Sequence, residues 1–275
     1  MFKTSMAISL APAAFAPLLF AGEWKLGVST AFELGYDAVE LSLRDPSDSE
    51  IAELVSDLKR NGLALSAIAT GQSYYQDGLS LTSSNPDKRA RLLDRLKRFI
   101  EIVAPWSGLV ILGGVRGVLK GDIHSQQEQR ILAIEMIQVC SDYANRSGAR
   151  LALEPINRYE TNFLNTIQDC LEFIAGANLK NVLILADTFH MNIEEKSLAD
   201  ALILAGPKLG YLHFADSNRK APGQGHINFS WLVEIINNLG YVGFITAEIL
   251  PVPNSRTAAE LAIQSFRSLN LIHKT

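Results

Sequence analysis

The sequence predicts an α/β protein, a single-domain (β/α)8 TIM barrel over residues 1–275. Three observations predict this fold. Eight short apolar segments alternate with amphipathic helices, the apolar segments are continuous runs, and the length is close to the ~250 residues that such a barrel takes. The competing fold, an open doubly wound sheet, would need a glycine-rich phosphate loop after its first strand. The chain has Ala11-Pro12-Ala13-Ala14 there, so the barrel is favoured.

Eight segments have the composition of buried strands, which are short apolar or β-branched runs between turn residues. They are residues 6–10, 38–41, 64–69, 109–112, 150–154, 182–187, 210–214 and 244–248. The first lies in an apolar stretch that looks like a weak signal peptide. Pro12 and Pro17 interrupt that stretch and the barrel needs a first strand, so we expect a strand here. No run approaches the ~18 uninterrupted apolar residues of a membrane span.

The segments between the strands have the spacing of helices that cover a sheet with one face. Ile51, Leu54, Val55 and Leu58, for example, repeat at i, i+3, i+4 and i+7. Six helices are predicted, over residues 48–61, 85–103, 126–147, 166–177, 230–239 and 257–271. Glycines lie at or directly after the ends of three of these helices, where a left-handed residue ends a helix at least cost. They are Gly148, Gly176 and Gly240.

Composition narrows the possible partners and the compartment. The net charge of −4 argues against nucleic acid as a partner, because binding to phosphates favours a basic surface. Cys140 and Cys170 are the only cysteines, which argues against a disulfide framework and for a reducing, cytoplasmic location. We therefore expect a small-molecule substrate and neither a nucleic acid nor a membrane partner.

Four consecutive predicted strands in the second half of the chain end in a side chain that can bind a metal. These residues are Glu154, Asp187, His213 and Glu248. One such acid would most simply cap the next helix or pair with an arginine. Four of them on neighbouring parallel strands converge at one end of a barrel, where barrel active sites lie. Three carboxylates and one imidazole suit one divalent cation, Mn²⁺ before Mg²⁺ or Co²⁺, better than a structural zinc.

Polar side chains close to these strand ends are open to two interpretations. His190 is structural or contacts substrate, and its place beside Asp187 favours substrate. Arg219 lies in a loop bounded by glycine and proline, where it either serves function or pairs with Asp216. Glu40 lies at the end of the second strand. It either contacts substrate or, with better support, is buried and pairs with an arginine such as Arg44.

Three other features remain open from the residues alone. Asn157 orients Glu154 or forms a turn. His226 supports a metal-bound carboxylate or packs in its loop. The pair Gly113-Gly114 could let a substrate approach the backbone, although a lone glycine pair is weak evidence.

Three of these neighbourhoods carry a family resemblance. They are Glu154-Pro-Ile-Asn-Arg-Tyr-Glu160, Asp187-Thr-Phe-His-Met-Asn-Ile-Glu-Glu195 and Asn218-Arg-Lys-Ala-Pro-Gly-Gln-Gly225. The chain resembles the xylose isomerase-like TIM barrels of sugar isomerases and epimerases. Its nearest resemblance there is to the D-tagatose and D-psicose 3-epimerases.

The resemblance implies roles for individual residues. The metal ligands would be Glu154, Asp187, His213 and Glu248, and the acid and base would be Glu154 and Glu248. The implied substrate contacts are His190, Arg219 and Glu160. The implied reaction is metal-dependent epimerisation of a ketose at C3 through a cis-enediolate. A homodimer or homotetramer also agrees with the resemblance.

Other reactions could use the same site. The alternatives are a dehydratase acting on a polyol ketone and an aldose–ketose isomerase of the hydroxypyruvate type. A three-zinc DNA-repair nuclease on the same barrel is disfavoured, because the chain has five histidines and a negative charge. A non-catalytic sugar-binding barrel is the remaining alternative.

Overall fold

In the computed structural model, which describes residues 2–13 and 17–271, eight parallel strands form a closed barrel in chain order. The strands are β1 (Lys3–Ser9), β2 (Ala38–Ser42), β3 (Ala64–Ala69), β4 (Leu109–Leu112), β5 (Arg150–Leu153), β6 (Val182–Asp187), β7 (Leu209–His213) and β8 (Phe244–Ala247). The barrel closes where β1 pairs with β8. The predicted (β/α)8 fold is confirmed, including the strand in the apolar N-terminal stretch.

Helices follow the strands and cover the outer face of the barrel. They are α1 (Trp24–Leu34), α2 (Ile51–Arg60), α3 (Gly71–Tyr75), α4 (Pro86–Val103), α5 (Ile123–Ser147), α6 (Ile167–Gly176), α7 (Thr188–Glu194), α8 (Leu198–Ala205), α9 (Phe229–Asn238) and α10 (Ser255–Ser268). Within the described ranges, a membrane-spanning helix of sufficient length and apolarity is absent.

The helix boundaries follow the local chemistry of the sequence. Asn85 caps α4 by accepting backbone N–H groups, and Pro86 takes the first helical position, where no N–H is needed. Thr166 and Asp169 form a reciprocal capping box at the start of α6. Gly148 ends α5 in the left-handed conformation, as predicted.

One predicted helix stop is wrong. Gly176 is the last residue of α6 and does not adopt a positive φ. Asn178 takes the left-handed conformation instead, with a φ of 54°. Asparagine tolerates that region better than other side chains, so the turn shifts two residues along the chain.

Four of the described helices have no predicted counterpart, namely α1, α3, α7 and α8. The helices α3 and α7 are short, and the apolar spacing of α1 and α8 is unclear. α8 reads Leu-Ala-Asp-Ala-Leu-Ile-Leu-Ala and has apolar residues on nearly every face. α1 contains Gly27, which weakens the helical signal. A Cβ at Gly27 would lie 3.2 Å from the Ile8 side chain, so the glycine allows α1 to pack closely on β1.

The core has two parts because the barrel has two faces. A large cluster lies between strands and helices, and a smaller one fills the barrel interior. The interior cluster consists of Ala67, Leu109, Ile111, Ala152, Leu185 and Tyr211. Side chains two residues further along a strand point to the same face. The next inward residues after Ala152, Leu185 and Tyr211 are therefore those at positions 154, 187 and 213.

Candidate active site

The strand period of two brings four potential ligands to the C-terminal mouth of the barrel. Glu154, Asp187, His213 and Glu248, here called the mouth cluster, each offer a donor atom within 4.8 Å of the other three. Glu154 and Glu248 are the first residues after β5 and β8, and the other two end their strands. The predicted convergence of these four side chains is confirmed.

The donor atoms of the mouth cluster suit a cation. His213 Nδ1 lies 3.5 Å from oxygens of both Asp187 and Glu248, and 3.9 Å from an oxygen of Glu154. His213 Nδ1 is buried and has no hydrogen-bond partner within the described part of the chain. Buried charges are costly unless they are paired or coordinate a metal. An unpartnered imidazole nitrogen among three carboxylates therefore fits a divalent cation.

Local hydrogen bonds orient two of the four ligands. Asp187 Oδ1 accepts the backbone N–H of Phe189 at 2.8 Å and so caps α7, which leaves Oδ2 to face the cluster. His213 Nε2 lies 2.8 Å from Glu40 Oε2, and both side chains are fully buried. This contact turns Nδ1 of the same ring toward the carboxylates.

The contact with Glu40 corrects the prediction for that residue. Glu40 pairs with His213, whereas Arg44 forms its ion pair with Asp77 at 2.6 Å. Arg44 is about half exposed and lies at the loop surface, while Glu40 faces the barrel interior. The sequence placed Glu40 correctly in the interior but could not identify a partner on β7.

Arg219 supplies the positive charge of the site. Its guanidinium contacts Asp187 Oδ2 at 3.3 Å and also donates to Glu248. It packs over the Phe189 ring, 4.6 Å from the centroid. The alternative pairing with Asp216 is wrong, since Asp216 accepts backbone N–H groups of Ser217, Gly223 and Ile227.

The backbone of the β7–α9 loop directs Arg219 into the site. Asp216 fastens the loop through its backbone hydrogen bonds, and a Cβ at Gly225 would lie 2.3 Å from Asp216 Oδ1. Arg219 itself adopts a φ of 59°, which is uncommon for a side chain other than glycine. Strained conformations of this kind persist where the surrounding structure fixes them.

His190 and Glu160 lie beside the mouth cluster and share Asn157. Asn157 Nδ2 lies 2.8 Å from His190 Nδ1 and donates to Glu160 Oε1 at 3.0 Å. Arg219 Nη1 lies 3.1 Å from His190 Nε2. Asn157 therefore orients His190 and Glu160 and not Glu154, and the predicted substrate contacts lie next to the predicted ligands.

Burial and neighbouring charges shift the pKa values of the ionisable groups in this site, some upward and some downward. Burial, together with the nearby Glu248, raises the pKa of Glu154 to about 8. Burial also opposes ionisation of Glu248 and Asp187, but Arg219 and the neighbouring histidines together outweigh it and lower the pKa values of both groups. Burial lowers the pKa of His190 to about 4, so this imidazole is neutral. Without a bound cation, Asp187 and Glu248 therefore favour the ionised form near neutral pH, whereas Glu154 favours the protonated form.

The pKa of His213 shifts in the opposite direction to that of His190. Burial disfavours its charged form, but Glu40, Glu248 and Asp187 together outweigh that effect and raise its pKa well above the ordinary value. A proton and a cation would compete for the same electron pair on His213 Nδ1, because metal binding requires the deprotonated imidazole.

A cavity of about 240 Å³ opens directly above the mouth cluster. Its walls include Glu154, Glu248, His190, Arg219 and Glu160. This volume is slightly below the ~300–1,000 Å³ of typical ligand pockets, so the cavity suits a molecule smaller than most drug-sized ligands.

The far wall of the cavity contains residues that the sequence analysis missed. Tyr75 and Gln72 come from α3, and the Tyr75 hydroxyl donates to Glu160 Oε2 at 3.0 Å. Gln72 is held by Ser9 Oγ at 2.7 Å and by Ser42. A five-residue helix directly after β3 gives little periodic signal, so only its position after a barrel strand could have indicated it.

Contacts bear on two of the open interpretations. A Cβ at Gly113 would lie 2.2 Å from Glu154 Oε2, so this glycine makes room for a mouth-cluster carboxylate. Gly113 also lines the cavity, and the possible approach of a substrate to its backbone stays untested. His226 Nδ1 lies 2.9 Å from Ser217 Oγ, so His226 packs in its loop.

Comparison with known proteins identifies a matching family model and several relatives. A family model described as xylose isomerase-like TIM barrel matches residues 28–269. The L-ribulose 3-epimerase of Methylomonas sp. (strain DH-1) is 31% identical over 237 residues, which cover 84% of this chain and 82% of the relative. The D-psicose 3-epimerase of Agrobacterium fabrum is 32% identical, covering 82% and 80%. A solved L-ribulose 3-epimerase superposes with a TM-score of 0.81 at 25% identity, covering 98% of this chain and 95% of that one.

Proposed function

Because the chain belongs to the xylose isomerase-like TIM barrel family, we propose that it is a divalent-metal-dependent ketose 3-epimerase. The mouth cluster supports this proposal most strongly, since three carboxylates and an unpartnered imidazole nitrogen surround one point at the floor of a small cavity. The two relatives named above are 3-epimerases. Their activity favours epimerisation over dehydration of a polyol ketone or aldose–ketose isomerisation.

We expect one cation, Mn²⁺ before Mg²⁺ or Co²⁺, held by Glu154, Asp187, His213 and Glu248. A cation bound there would act as a Lewis acid that stabilises negative charge on the substrate oxygens. The protein groups must then bind the ketose and move one proton.

Glu154 and Glu248 are suited to the two proton transfers. They follow β5 and β8, with β6 and β7 between them, and so approach the cavity from different sides. One carboxylate takes the proton from C3, the bonding electrons pass to the carbonyl, and a planar enediolate forms. The other carboxyl group returns a proton to the opposite face, which inverts C3.

Without a bound cation, the pKa values of the two glutamates diverge. The charge of Arg219 helps to lower the pKa of Glu248, whereas burial and Glu248 raise that of Glu154 to about 8. Such divergence within a pair is typical of acid–base partners. Epimerisation of the opposite C3 configuration would exchange their roles.

Neighbouring residues bind and orient the substrate in this proposal. The neutral imidazole of His190 and the guanidinium of Arg219 line the cavity beside the two glutamates and would hydrogen-bond substrate oxygens near the carbonyl. Glu160, fixed by Asn157 and Tyr75, would accept a hydrogen bond from a sugar hydroxyl.

The cavity favours an unphosphorylated ketose. Arg219 is the only lysine or arginine among the described lining residues, and its charge is engaged by Asp187 and Glu248. A phosphate group would need additional cationic donors. The cytoplasmic location and a homodimer or homotetramer stay predictions.

Isotope exchange tests the proposed reaction. The Mn²⁺-loaded protein is incubated in heavy water with D-psicose, D-fructose, D-tagatose or L-ribulose, and NMR spectra are recorded after the cation is removed. We expect deuterium at C3 of at least one ketose and of its epimer. Deuterium confined to C1 or C2 would identify an aldose–ketose isomerase, and loss of water a dehydratase. A protein that binds Mn²⁺ but exchanges no proton of any of these sugars would contradict the proposal.

A further inference from the structure

We propose that Glu40 is a positioning residue that holds His213 in the orientation and tautomer required for cation binding. This inference rests on the proposed metal site but assigns a role to a residue outside the mouth cluster. Glu40 lies on β2, does not line the cavity and is fully buried. A direct contact with substrate is therefore ruled out by its position.

The tautomer follows from the hydrogen bond between the two side chains. Glu40 Oε2 lies 2.8 Å from His213 Nε2, and an ionised carboxylate can only accept. The imidazole proton consequently lies on Nε2. In the neutral ring Nδ1 then carries the free electron pair, and it is this atom that faces Asp187, Glu248 and Glu154.

Glu40 can reach His213 because its neighbours on the adjacent strands are small. In the barrel register, Glu40 lies between Ala7 on β1 and Ala67 on β3. These two alanines leave room in the barrel interior for a glutamate side chain to extend toward β7. The position of the buried Glu40 side chain thus depends on the two small residues beside it.

The ring of His213 is also supported on a second side. The Tyr211 ring packs against it edge-on, with centroids 5.7 Å apart. The Tyr211 hydroxyl is in turn held by Ser66 Oγ and Thr246 Oγ1, each at 2.7 Å. Packing limits the tilt of the imidazole, but it does not choose between the two tautomers. Glu40 makes that choice.

The cost of burying Glu40 supports a role beyond packing. Glu40 Oε1 is buried and has no hydrogen-bond partner among the described residues. A half-satisfied carboxylate in a barrel interior is unfavourable for stability alone. Carboxylates that accept from the second nitrogen of a ligating histidine raise its basicity, and their loss typically weakens metal affinity ~10–100-fold.

Metal affinity tests the inference independently of any sugar. Mn²⁺ binding is measured by titration calorimetry and by the electron paramagnetic resonance signal of free Mn²⁺, for the wild type, Glu40→Gln and Glu40→Leu. Glutamine keeps an acceptor of the same shape without the charge, whereas leucine removes both. We expect Glu40→Leu to bind Mn²⁺ ~10–100-fold more weakly, with Glu40→Gln between it and the wild type.

A spectroscopic readout separates positioning from general destabilisation. Nitrogen-15 NMR of histidine-labelled, Mg²⁺-loaded protein should show His213 as the single Nε2–H tautomer in the wild type and in Glu40→Gln. In Glu40→Leu the bound cation still keeps the proton on Nε2, but the Nε2–H signal should move upfield and exchange faster with water because its acceptor is missing. If Glu40→Leu does not fold, the loss of affinity in Glu40→Gln still tests the proposal.

Asp37→Asn is the matched control. Asp37 directly precedes β2 at the opposite end of the barrel, where Oδ2 accepts the Thr4 backbone N–H at 2.7 Å. This variant should bind Mn²⁺ as the wild type does. Wild-type affinity in both Glu40 variants would overturn the inference. A wild-type protein that binds no cation would instead contradict the proposed function itself.

Discussion

Two ionic clusters of similar size lie in this molecule, and their charges are arranged differently. The loop cluster, Arg44, Asp45, Asp77 and Arg95, joins the β2–α2 and β3–α4 connections to α4. It contains two arginines and two aspartates, so its formal charge is zero. The mouth cluster and Glu40 contain four carboxylates, against the one guanidinium of Arg219.

The clusters also differ in how their polar atoms are satisfied. In the loop cluster, Asp77 accepts from Arg44 and Arg95, and the Arg95 guanidinium also bonds Asp45 at 2.8 Å. At the mouth, His213 Nδ1 and Glu40 Oε1 lack partners within the described chain. A balanced cluster stabilises the fold by itself. An unbalanced one with donor atoms directed at a common point is typical of a ligand site.

Replacing a mouth-cluster glutamate should produce the largest effect. In Glu248→Gln or Glu154→Gln the amide cannot act as acid or base, so we expect kcat for epimerisation to fall ~10²–10⁴-fold. The rate of deuterium exchange at C3 gives the measurement. Asp77→Asn, which changes a carboxylate of the loop cluster, should retain nearly the wild-type kcat. Comparable losses in all three variants would remove the distinction between the clusters.

Removal of the cation should affect stability through the mouth cluster alone. Mn²⁺ at a hundred times its dissociation constant should stabilise the wild type by about 2.7 kcal/mol. For a chain of this length that corresponds to a rise in Tm of ~5–10 °C. Scanning calorimetry with and without a chelator measures the shift. We expect the same shift in Asp77→Asn and almost none in His213→Ala; a full shift in His213→Ala would place the cation elsewhere.

Loss of an acid in the loop cluster should reduce stability without affecting the metal. Asp77→Asn leaves the buried guanidinium of Arg95 without one of its two carboxylates. The pair with Arg44 is half exposed and contributes little, so we expect a loss of ~1–2 kcal/mol in the free energy of unfolding. Chemical denaturation measures it. If Asp77→Asn weakened Mn²⁺ binding tenfold, the two clusters would not be independent.

The sequence predicted the mouth cluster well for a simple physical reason. Each ligand ends an apolar strand, and parallel strands of a barrel bring their ends to one place. The identity of Glu154, Asp187, His213 and Glu248 therefore implied their proximity. Predicting that they lie close together required only the strand order, which follows the chain order in this fold.

What the sequence could not provide were contacts between distant strands and loops. Glu40 and His213 are 173 positions apart, and a plausible partner, Arg44, stood much nearer in sequence. Arg219 reaches the site through a left-handed backbone conformation. That conformation depends on Asp216 and the loop glycines together. Pairings of this type are decided by tertiary packing, which local patterns do not encode.

The pH dependence of stability gives the smallest and most specific test of the comparison. Hydrogen bonds from Arg44 come first among the causes that lower the pKa of Asp77 to about 2. A carboxyl with a lowered pKa in the folded state stabilises above its unfolded value of ~3.9, and that contribution disappears as the pH falls through about 2. We therefore expect the stability difference between the wild type and Asp77→Asn to be constant from pH 7 to about 5 and to shrink toward pH 2.

Chemical denaturation at each pH, with chelator present to keep the mouth cluster free of metal, provides the measurement. A difference that stays constant down to pH 2 would show that Asp77 acts through packing, and the charge balance of the loop cluster would then not explain its stability.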